Sequence, residues 1–365
     1  MRINPIYATP IFLSTGKKTS FAGTVNDKID VFKKSEPLIN DLRDIPDLPC
    51  AICGKLVIPN QIYTRFDRNN ADIPSKEVFK ILEPYEKRIQ GHEKRVYLLL
   101  KKYSQMFPEH TIKEILNNEK IYTFYLENLE HKQNLILKEI EKEIPKFSEI
   151  TRNQIRKTLK YSRKMIHNEN RQLQHRRGKI IQKFNNISVQ HEELKDYTEI
   201  LKKINNLPYS KNDVSAFMVK YAQRNSNETI QNILQPFCAT NEHIRPNHII
   251  FDKKMPDVEK PPRGESFPKN FIILHQRCNR LRGQLPYDEM IEKKTKLVEN
   301  MQKYFDRVIE FINSGKMNVR YDYYPEEAAK TLNDESSGVI NIDTSALKPP
   351  VRGPFMRPRA ANVVK

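Results

Sequence analysis

The sequence predicts an α+β protein in which a small domain with short strands is interrupted by a large helical insertion. Two residue pairs with metal-ligand spacing, Cys50-x-x-Cys53 and His275-x-x-Cys278, stand far apart in the chain. Between them, from about residue 75 to 235, long segments rich in Lys, Glu, Ile and Leu have the periodicity of helices. A short apolar run at residues 271–274 has the character of a strand and leads directly into His275. We therefore expect the two halves of the small domain to meet in space.

The composition of the 365-residue chain favours a polyanionic partner. Lys and Arg number 63 against 45 Asp and Glu, which gives a formal net charge of +18 and a pI near 9.5. Such an excess of positive charge suits nucleic acid first and an anionic membrane surface second. The length allows two to three domains, at roughly 150 residues for each.

Several classes of protein are not expected. No stretch approaches the length of a transmembrane helix, and the N-terminus, interrupted by Pro5 and Pro10, lacks the apolar segment of a signal peptide. Ten glycines without a Gly-x-Gly run leave little room for a phosphate-cradling loop. Four cysteines are too few for a disulfide framework in a chain of this length. We expect a reducing, cytoplasmic location and no membrane partner.

The two residue pairs predict a closed metal site. Gly54 follows Cys53 immediately, as in a zinc knuckle, a tight turn that points two thiolates at one ion. His275 and Cys278 have the same two-residue spacer. Three thiolates and one imidazole satisfy tetrahedral Zn²⁺, and a site in which the protein supplies all four ligands is structural rather than catalytic. Cys238 is the alternative fourth ligand, and otherwise a buried thiol.

The residues around these pairs carry a more specific pattern. Glu242-His243 is followed by a proline, then by a long loop, and then by Asn270 directly before the apolar run. The second metal-ligand pair lies in the segment HQRCNRLRG, which covers residues 275–283. In this order the pieces resemble the HNH endonuclease family, whose fold is the ββα-metal finger. The resemblance is confined to two blocks, residues 46–74 and 236–285, so most of the chain lies outside it.

The resemblance implies a role for each matching residue in the hydrolysis of a phosphodiester bond. His243 is implied to be the general base that takes a proton from the attacking water, a task that suits the ordinary pKa of an imidazole. Asn270 is implied to hold the imidazole ring. Glu242 and Asn279 are implied to bind a catalytic Mg²⁺ or Mn²⁺ through oxygen atoms. The basic residues next on the helix, which are expected to contact phosphates, are Arg280 and Arg282.

The chain departs from the usual pattern of the family. Glu242 stands where Asp is more usual, His275 where the structural site usually has Cys, and Asn279 where other members have His. The insertion after the first cysteine pair and the loop at residues 247–269 are both long. These departures remove no required chemical group, and whether the glutamate lowers the activity is left open by the sequence.

The insertion carries two further patterns. One is a run of mostly apolar residues with nearly the spacing of a coiled-coil seam, at Tyr122, Leu126, Leu129, Gln133, Ile136, Ile140 and Ile144. The other is residues 151–183, where 11 basic residues accompany one acid. Solvated helix faces usually mix both signs, so we expect this segment to contact phosphates rather than solvent alone. The residues assigned to nucleic-acid binding there are Arg156, Lys160, Arg163, Arg176 and Arg177.

The sequence thus divides into an N-terminal extension (1–45), a discontinuous nuclease core (46–74 and 236–285), the helical insertion (75–235), a C-terminal helix (286–315) and a disordered tail (316–365).

The expected function is metal-dependent endonucleolytic cleavage of nucleic acid, DNA rather than RNA. HNH nucleases of restriction and phage-defence systems often work with a partner protein, so a protein partner on the insertion is a further expectation by analogy. The alternative from a different class is a non-cleaving nucleic-acid-binding or scaffold protein. In that case zinc holds the finger and the basic segment supplies the affinity.

Overall fold

The computed structural model of the chain describes residue 39 and residues 41–167, 173–194, 198–245, 268–283, 285–317 and 325–348. The helices that precede the strands are α1 (Asn60–Arg65), α2 (Ser75–Leu82), α3 (Gly91–Met106), α4 (Ile112–Asn117), α5 (Glu119–Glu143), α6 (Glu149–His167), α7 (Leu173–Gln190), α8 (Thr198–Asn205), α9 (Val214–Tyr221) and α10 (Ser226–Leu234). The strands are β1 (Ala239–His243) and β2 (Phe271–His275). After them come α11 (Gln276–Arg282), α12 (Tyr287–Lys293), α13 (Leu297–Asn313) and α14 (Pro325–Glu335). These residues are mostly helical with one small sheet, as the α+β prediction requires.

The two strands and α11 form a strand–strand–helix unit. β1 and β2 are antiparallel, with His243 opposite Phe271 and Ala239 opposite His275. Helix α11 begins at Gln276, directly after β2, and packs against both strands. β2 is almost entirely buried, which explains its continuous apolar character.

The residues around the first cysteine pair pack on this unit. Pro49 and Leu56 pair as the two sides of a short hairpin, and the Ala51 N–H donates to the Ile273 carbonyl on β2 at 3.2 Å. One hydrophobic core joins this hairpin to the two strands and to α12, α13 and α14. The two sequence blocks of the small domain therefore meet, as predicted from the spacing of their ligands.

Two further cores lie mainly in the insertion, and the first of them also includes Ile58, Phe66, Phe237 and Cys238 from the two blocks predicted to form the small domain. The first joins α2, α3 and α4 to α9, α10 and the N-terminal half of α5. The second joins the C-terminal half of α5 to α6, α7 and α8. Helix α5 contributes residues to both cores and therefore connects them.

The buried face of α5 differs from the predicted coiled-coil seam. Its buried residues are Ile121, Tyr125, Leu129, Gln133, Leu137 and Ile140. Most of them repeat every four residues, whereas a seam averages 3.5. The reason is tertiary: α9 packs on the first half of α5 and α6 and α8 on the second, so the helix is enclosed by several neighbours rather than paired with one. Gln133, the polar interruption of the predicted seam, is nevertheless buried.

The C-terminal region is more ordered than expected. The predicted single helix at 286–315 is two helices, α12 and α13, separated at residues 294–296. The prediction of a disordered tail is wrong for residues 325–348, because Ala328, Leu332 and Ile340 are fully buried in the core of the small domain. Their spacing of four places two of them on one face of α14. Residues 349–365 lie outside the described residues.

The end of the predicted N-terminal extension also belongs to the core. Ile45 is fully buried, and Ile39 pairs with Met317 in a parallel bridge. Within the described ranges, no helix combines the length and the apolar character that a bilayer span requires.

Candidate functional site

The first cysteine pair lies on a tight turn. The Cys50 N–H donates to the Lys55 carbonyl and the Gly54 N–H donates to the Cys50 carbonyl, both at 2.8 Å. Gly54 has a φ of +69°, in the left-handed region that favours glycine. The side chain of Asn300 on α13 occupies the place where a Cβ would point, and its Nδ2 donates to the Ile52 carbonyl at 2.9 Å. Both the turn and its packing therefore explain the glycine after the Cys-x-x-Cys motif.

Four side chains converge at this turn. The ligand atoms of Cys50, Cys53, His275 and Cys278 all lie within 4.8 Å of one another. Zinc–sulfur bonds of about 2.3 Å in a tetrahedron place neighbouring ligands about 3.8 Å apart, so the cluster needs little adjustment to close on an ion. The predicted meeting of the two pairs is confirmed, and the cluster could hold a metal such as zinc.

The imidazole of His275 is oriented for metal binding. Its Nδ1 faces the cluster, 3.2 Å from Cys53 Sγ, while Nε2 lies 3.1 Å from the Leu56 carbonyl. A proton on Nε2 makes that contact a hydrogen bond and leaves the Nδ1 lone pair for an ion, an arrangement typical of metal-bound histidines. Burial alone lowers the pKa of His275, but hydrogen bonds with the thiols of Cys278 and Cys53 outweigh it and raise the pKa to about 9.

The pKa values of Cys50 and Cys53 shift in opposite directions. Burial raises the pKa of Cys50 well above its ordinary value. The pKa of Cys53 is instead lowered, because the thiols of Cys278 and Cys50 donate hydrogen bonds to its sulfur. A metal ion that binds the cluster replaces thiol protons, so its binding is expected to depend on pH.

Cys238, the alternative fourth ligand, lies apart from the cluster. It is buried, and its Sγ contacts the Leu234 carbonyl at 3.3 Å. Burial raises its pKa, so it is an unreactive thiol at neutral pH.

The predicted base lies on the exposed side of β1. Glu242 and His243 alternate across the strand, so Glu242 is 6% exposed while His243 is half-buried. The His243 ring lies against the ring of its cross-strand neighbour Phe271, with 4.6 Å between centroids. This contact and the pairing of β1 with β2 place the imidazole at the surface of the sheet.

Glu242 forms a buried ion pair with Arg282. Arg282 Nη1 donates to Glu242 Oε1 and also to the His243 carbonyl at 2.9 Å, while Nη2 donates to the Ile244 carbonyl at 3.0 Å. The guanidinium also lies over the ring of Tyr287, 4.4 Å from its centroid. Arg282 therefore ties α11 to the end of β1.

The assignment of Arg282 to phosphate contact is wrong. Its side chain is 2% exposed, and its Nη1 and Nη2 donate to protein atoms, so a phosphate has no access to it. The ion pair also restricts how Glu242 can bind a catalytic metal. That metal-binding role stays a prediction. That role requires an ion to use Oε2 or to open the pair with Arg282.

Asn270 holds the chain just beyond His243. Its Oδ1 accepts from the Arg245 N–H at 2.8 Å, its Nδ2 donates to the Arg245 carbonyl at 3.0 Å, and its own carbonyl accepts from the Ile244 N–H at 2.9 Å. Asn270 is 4% exposed. It thus fixes the backbone that follows the predicted base, and its predicted contact with the imidazole ring stays a prediction.

Asn279 lies beside β1, as the prediction requires. Its Nδ2 donates to the Asn241 carbonyl at 3.2 Å, which directs the amide group toward the strand that carries Glu242 and His243. The structure thus brings the four predicted catalytic and metal-binding residues to one unit, and the metal role of Asn279 stays a prediction.

The remaining basic residues have different surroundings. Arg280 is exposed on α11, and Arg156 and Lys160 are exposed on α6. Arg163 pairs with Glu141 at 2.6 Å. Arg177 is half-buried over the ring of Tyr209 and donates to the Asn205 carbonyl at 2.7 Å, and the side chain of Arg176 lies outside the described residues. Exposure leaves phosphate contact open for the first three, of which Arg156 also donates to Asn153 Oδ1 at 3.5 Å, whereas Arg163 and Arg177 have closer protein partners.

Sequence reasoning missed the residues that support this site from the C-terminal region. Glu335 on α14 pairs with Arg245 at 2.6 Å, next to the backbone that Asn270 holds. Tyr287 lies under the Arg282 guanidinium. The spacing of apolar residues in α14 could have predicted the helix that carries Glu335. The prolines and basic residues after that helix instead favoured a prediction of disorder.

Comparisons of the chain with protein-family models, with curated proteins and with solved structures find no match.

Proposed function

We propose that the protein is a metal-dependent endonuclease of the HNH type. The observation that supports the proposal is the placement of Glu242 and His243 on β1, Asn270 at the entry to β2 and Asn279 on α11, within one strand–strand–helix unit. The four-ligand cluster lies at the other end of the same strand pair, where Ala239 faces His275. Hydrolysis of a phosphodiester bond requires reacting groups that are held in fixed positions. A strand–strand–helix unit with a metal site at one end can hold them so.

We assign the cluster to Zn²⁺ with a structural role. Three cysteine sulfurs and one imidazole nitrogen are soft and borderline donors, which favour zinc over magnesium or calcium. All four positions are filled by protein atoms, so no position is open for a substrate or a water.

The second ion in the proposal is Mg²⁺ or Mn²⁺, and the residues present fit it in donor type. The Asn279 amide oxygen and the Glu242 carboxylate are hard oxygen donors. Among the described residues Arg282 engages Glu242 Oε1, and Oε2 is the oxygen that we assign to the ion. Such an ion supplies stabilisation of the charge that builds on the phosphate.

The protein residues then divide the work. His243 accepts the proton of the attacking water, and its position against Phe271 limits rotation of its ring. Asn270 fixes the backbone beyond His243, and Arg282 fixes both Glu242 and the His243 carbonyl. Arg280, exposed on α11, contacts a phosphate of the substrate.

The test is cleavage of supercoiled plasmid by zinc-loaded protein with added Mg²⁺ or Mn²⁺. Wild type is expected to nick DNA, and His243→Ala is expected to lose at least about 100-fold in rate, the usual contribution of a general base. His131→Ala, at an exposed histidine on α5, is the matched control and is expected to nick like wild type. Equal nicking by His243→Ala would assign the activity elsewhere. A parallel assay on single-stranded RNA decides the substrate, with DNA expected.

A second candidate function is a non-cleaving nucleic-acid-binding protein. The buried ion pair of Glu242 with Arg282 favours it, because a carboxylate already neutralised by protein attracts a cation less strongly. Tight, salt-dependent binding without metal-dependent cleavage would support this second candidate. The protein partner of the insertion, expected by analogy, also stays a proposal, tested by co-purification with and without residues 75–235.

A further inference from the structure

A cleft of about 450 Å³ lies between the insertion and α11. On one side Arg277, Arg280 and Leu281 of α11 line it, and on the other Lys211 and Lys220 of the insertion. The volume is in the range of sites that hold a small ligand or a nucleotide unit. The cleft therefore joins the two parts of the chain that the sequence presents as separate.

The cleft concentrates positive charge. Its lining includes four cationic side chains, those of Lys211, Lys220, Arg277 and Arg280, and one carboxylate, that of Glu93. In the part of the chain that the structure describes, none of the four cations forms an ion pair with a carboxylate. Elsewhere arginines on the same protein do have acidic partners, as Arg245 and Arg282 illustrate.

The positive charge of Lys220 is disfavoured by its surroundings in the cleft. Its Nζ has neutral neighbours, the Ser210 hydroxyl at 3.4 Å and the ring of Tyr221 at 5.1 Å. Burial lowers the pKa of Lys220, and the positive charges of Arg224 and Lys211 lower it further. An anion bound in the cleft would offset this repulsion, and a cleft lined by one sign of charge attracts ions of the opposite sign.

The cleft lies on the far side of α11 from Asn279. At 3.6 residues per turn, positions 277, 280 and 281 share one face of the helix, while the Asn279 side chain points to β1. A helix is about 10 Å across, a distance that roughly three nucleotides span at about 3.4 Å each. A strand bound in the cleft can therefore reach the predicted catalytic residues within a few nucleotides.

We propose that this cleft binds the phosphodiester backbone of the substrate strand, with Lys211 and Lys220 of the insertion and Arg277 and Arg280 of α11 as phosphate contacts. The inference rests on the proposed function, because it names where the substrate of that activity lies. It gives the insertion a direct part in substrate binding. The basic face of α6, with Arg156 and Lys160, is then an additional surface rather than the main one.

The test measures binding separately from cleavage. The affinity of a labelled 20-nucleotide DNA strand is measured by fluorescence anisotropy in a His243→Ala background, with zinc retained and no Mg²⁺ or Mn²⁺ added, over a range of salt concentrations. The variants are Lys211→Gln/Lys220→Gln on the insertion wall and Arg277→Gln/Arg280→Gln on the α11 wall. Lys102→Gln/Lys330→Gln, at exposed positions on α3 and α14, removes the same charge outside the cleft lining.

Each cleft variant is expected to bind about tenfold more weakly. The negative slope of log K against log salt is expected to become less steep by about 1.4, since two phosphate contacts to a single strand are lost. The control variant is expected to keep the wild-type slope. Binding by the cleft variants equal to that of the control overturns the inference. If wild type fails to cleave while the cleft variants lose binding, the inference stands and the proposed function fails. If wild type cleaves DNA and the cleft variants bind the strand as tightly as the control, only the inference fails.

Discussion

The four-ligand cluster and the predicted catalytic residues lie on the same strand–strand–helix unit but are held in different ways. In the cluster the side chains meet one another, with all ligand atoms within 4.8 Å. In the catalytic set the side chains meet other partners: Glu242 meets Arg282, and Asn270 meets the backbone of Arg245. The comparison teaches that each metal-ligand pair can be recognised from its own two-residue spacer, even though Cys53 and His275 lie 222 residues apart. The state of a single carboxylate, by contrast, depends on an arginine 40 residues away.

The largest effect is expected from breaking the cluster. Cys53→Ser removes one ligand, so the protein is expected to lose zinc and, with it, on the order of 5 kcal/mol of the free energy of unfolding, a part of what structural zinc contributes. Metal analysis and thermal unfolding check this, and a chelator is expected to reproduce the effect in wild type. Affinity is expected to fall as pH falls, because protons compete with the ion for thiolates and imidazole.

Cys238→Ala is the matched control for that variant. Because Cys238 lies outside the cluster, full zinc content is expected, with a loss in stability of about 1 kcal/mol from the buried volume. Zinc content equal to wild type in Cys53→Ser, or lost in Cys238→Ala, would contradict the assignment of ligands.

The next effect comes from the ion pair on the catalytic side. Arg282→Met leaves the buried Glu242 carboxylate without its partner and is expected to cost about 3–5 kcal/mol in chemical denaturation. The double variant Arg282→Met/Glu242→Gln is expected to regain part of that loss, because no unpaired charge remains. Arg280→Met, two residues earlier on the same helix but exposed, is expected to change stability by less than about 0.5 kcal/mol. Equal losses at the two arginines would refute the buried pair.

The turn of the cysteine pair offers a smaller effect with a close control. Gly54→Ala is expected to cost about 2–3 kcal/mol, because it combines a positive φ with a collision against Asn300. Gly315→Ala has nearly the same φ, +70°, but no heavy atom within 4 Å of the added Cβ. It is expected to cost only about 1 kcal/mol. The difference in unfolding midpoints isolates the packing of α13 on the turn, and no difference would argue against that contact.

The smallest effect is expected at Glu335. Its ion pair with Arg245 is about one-third exposed, so Glu335→Gln is expected to change stability by no more than about 1 kcal/mol. High salt is expected to reduce the effect further. A loss above 3 kcal/mol would mean that α14 carries more of the site than the contact indicates.

The sequence predicted the fold where the signal was local. Two pairs of ligands with a two-residue spacer determine which segments meet, and an apolar run before His275 determines a buried strand. Much of the predicted C-terminal helix is likewise present as α13, with Met301 and Val308 in the core. Each of these depends on a pattern a few residues long.

The rest depended on contacts between distant segments. The seam predicted on α5 is shifted because several helices enclose it, which no pattern within α5 reports. In the sequence, Arg282 resembles a phosphate ligand beside Arg280. Its burial follows only from the position of Glu242 in the folded chain. The order of residues 325–348 likewise comes from a core assembled by other parts of the chain.

The most direct test of the account is the initial rate of plasmid nicking with Mg²⁺ or Mn²⁺ by zinc-loaded wild type and His243→Ala. The account predicts metal-dependent nicking by wild type and a rate lower by at least about 100-fold in the variant, with zinc content unchanged. No nicking by wild type with either ion, or equal rates for the two proteins, would contradict it.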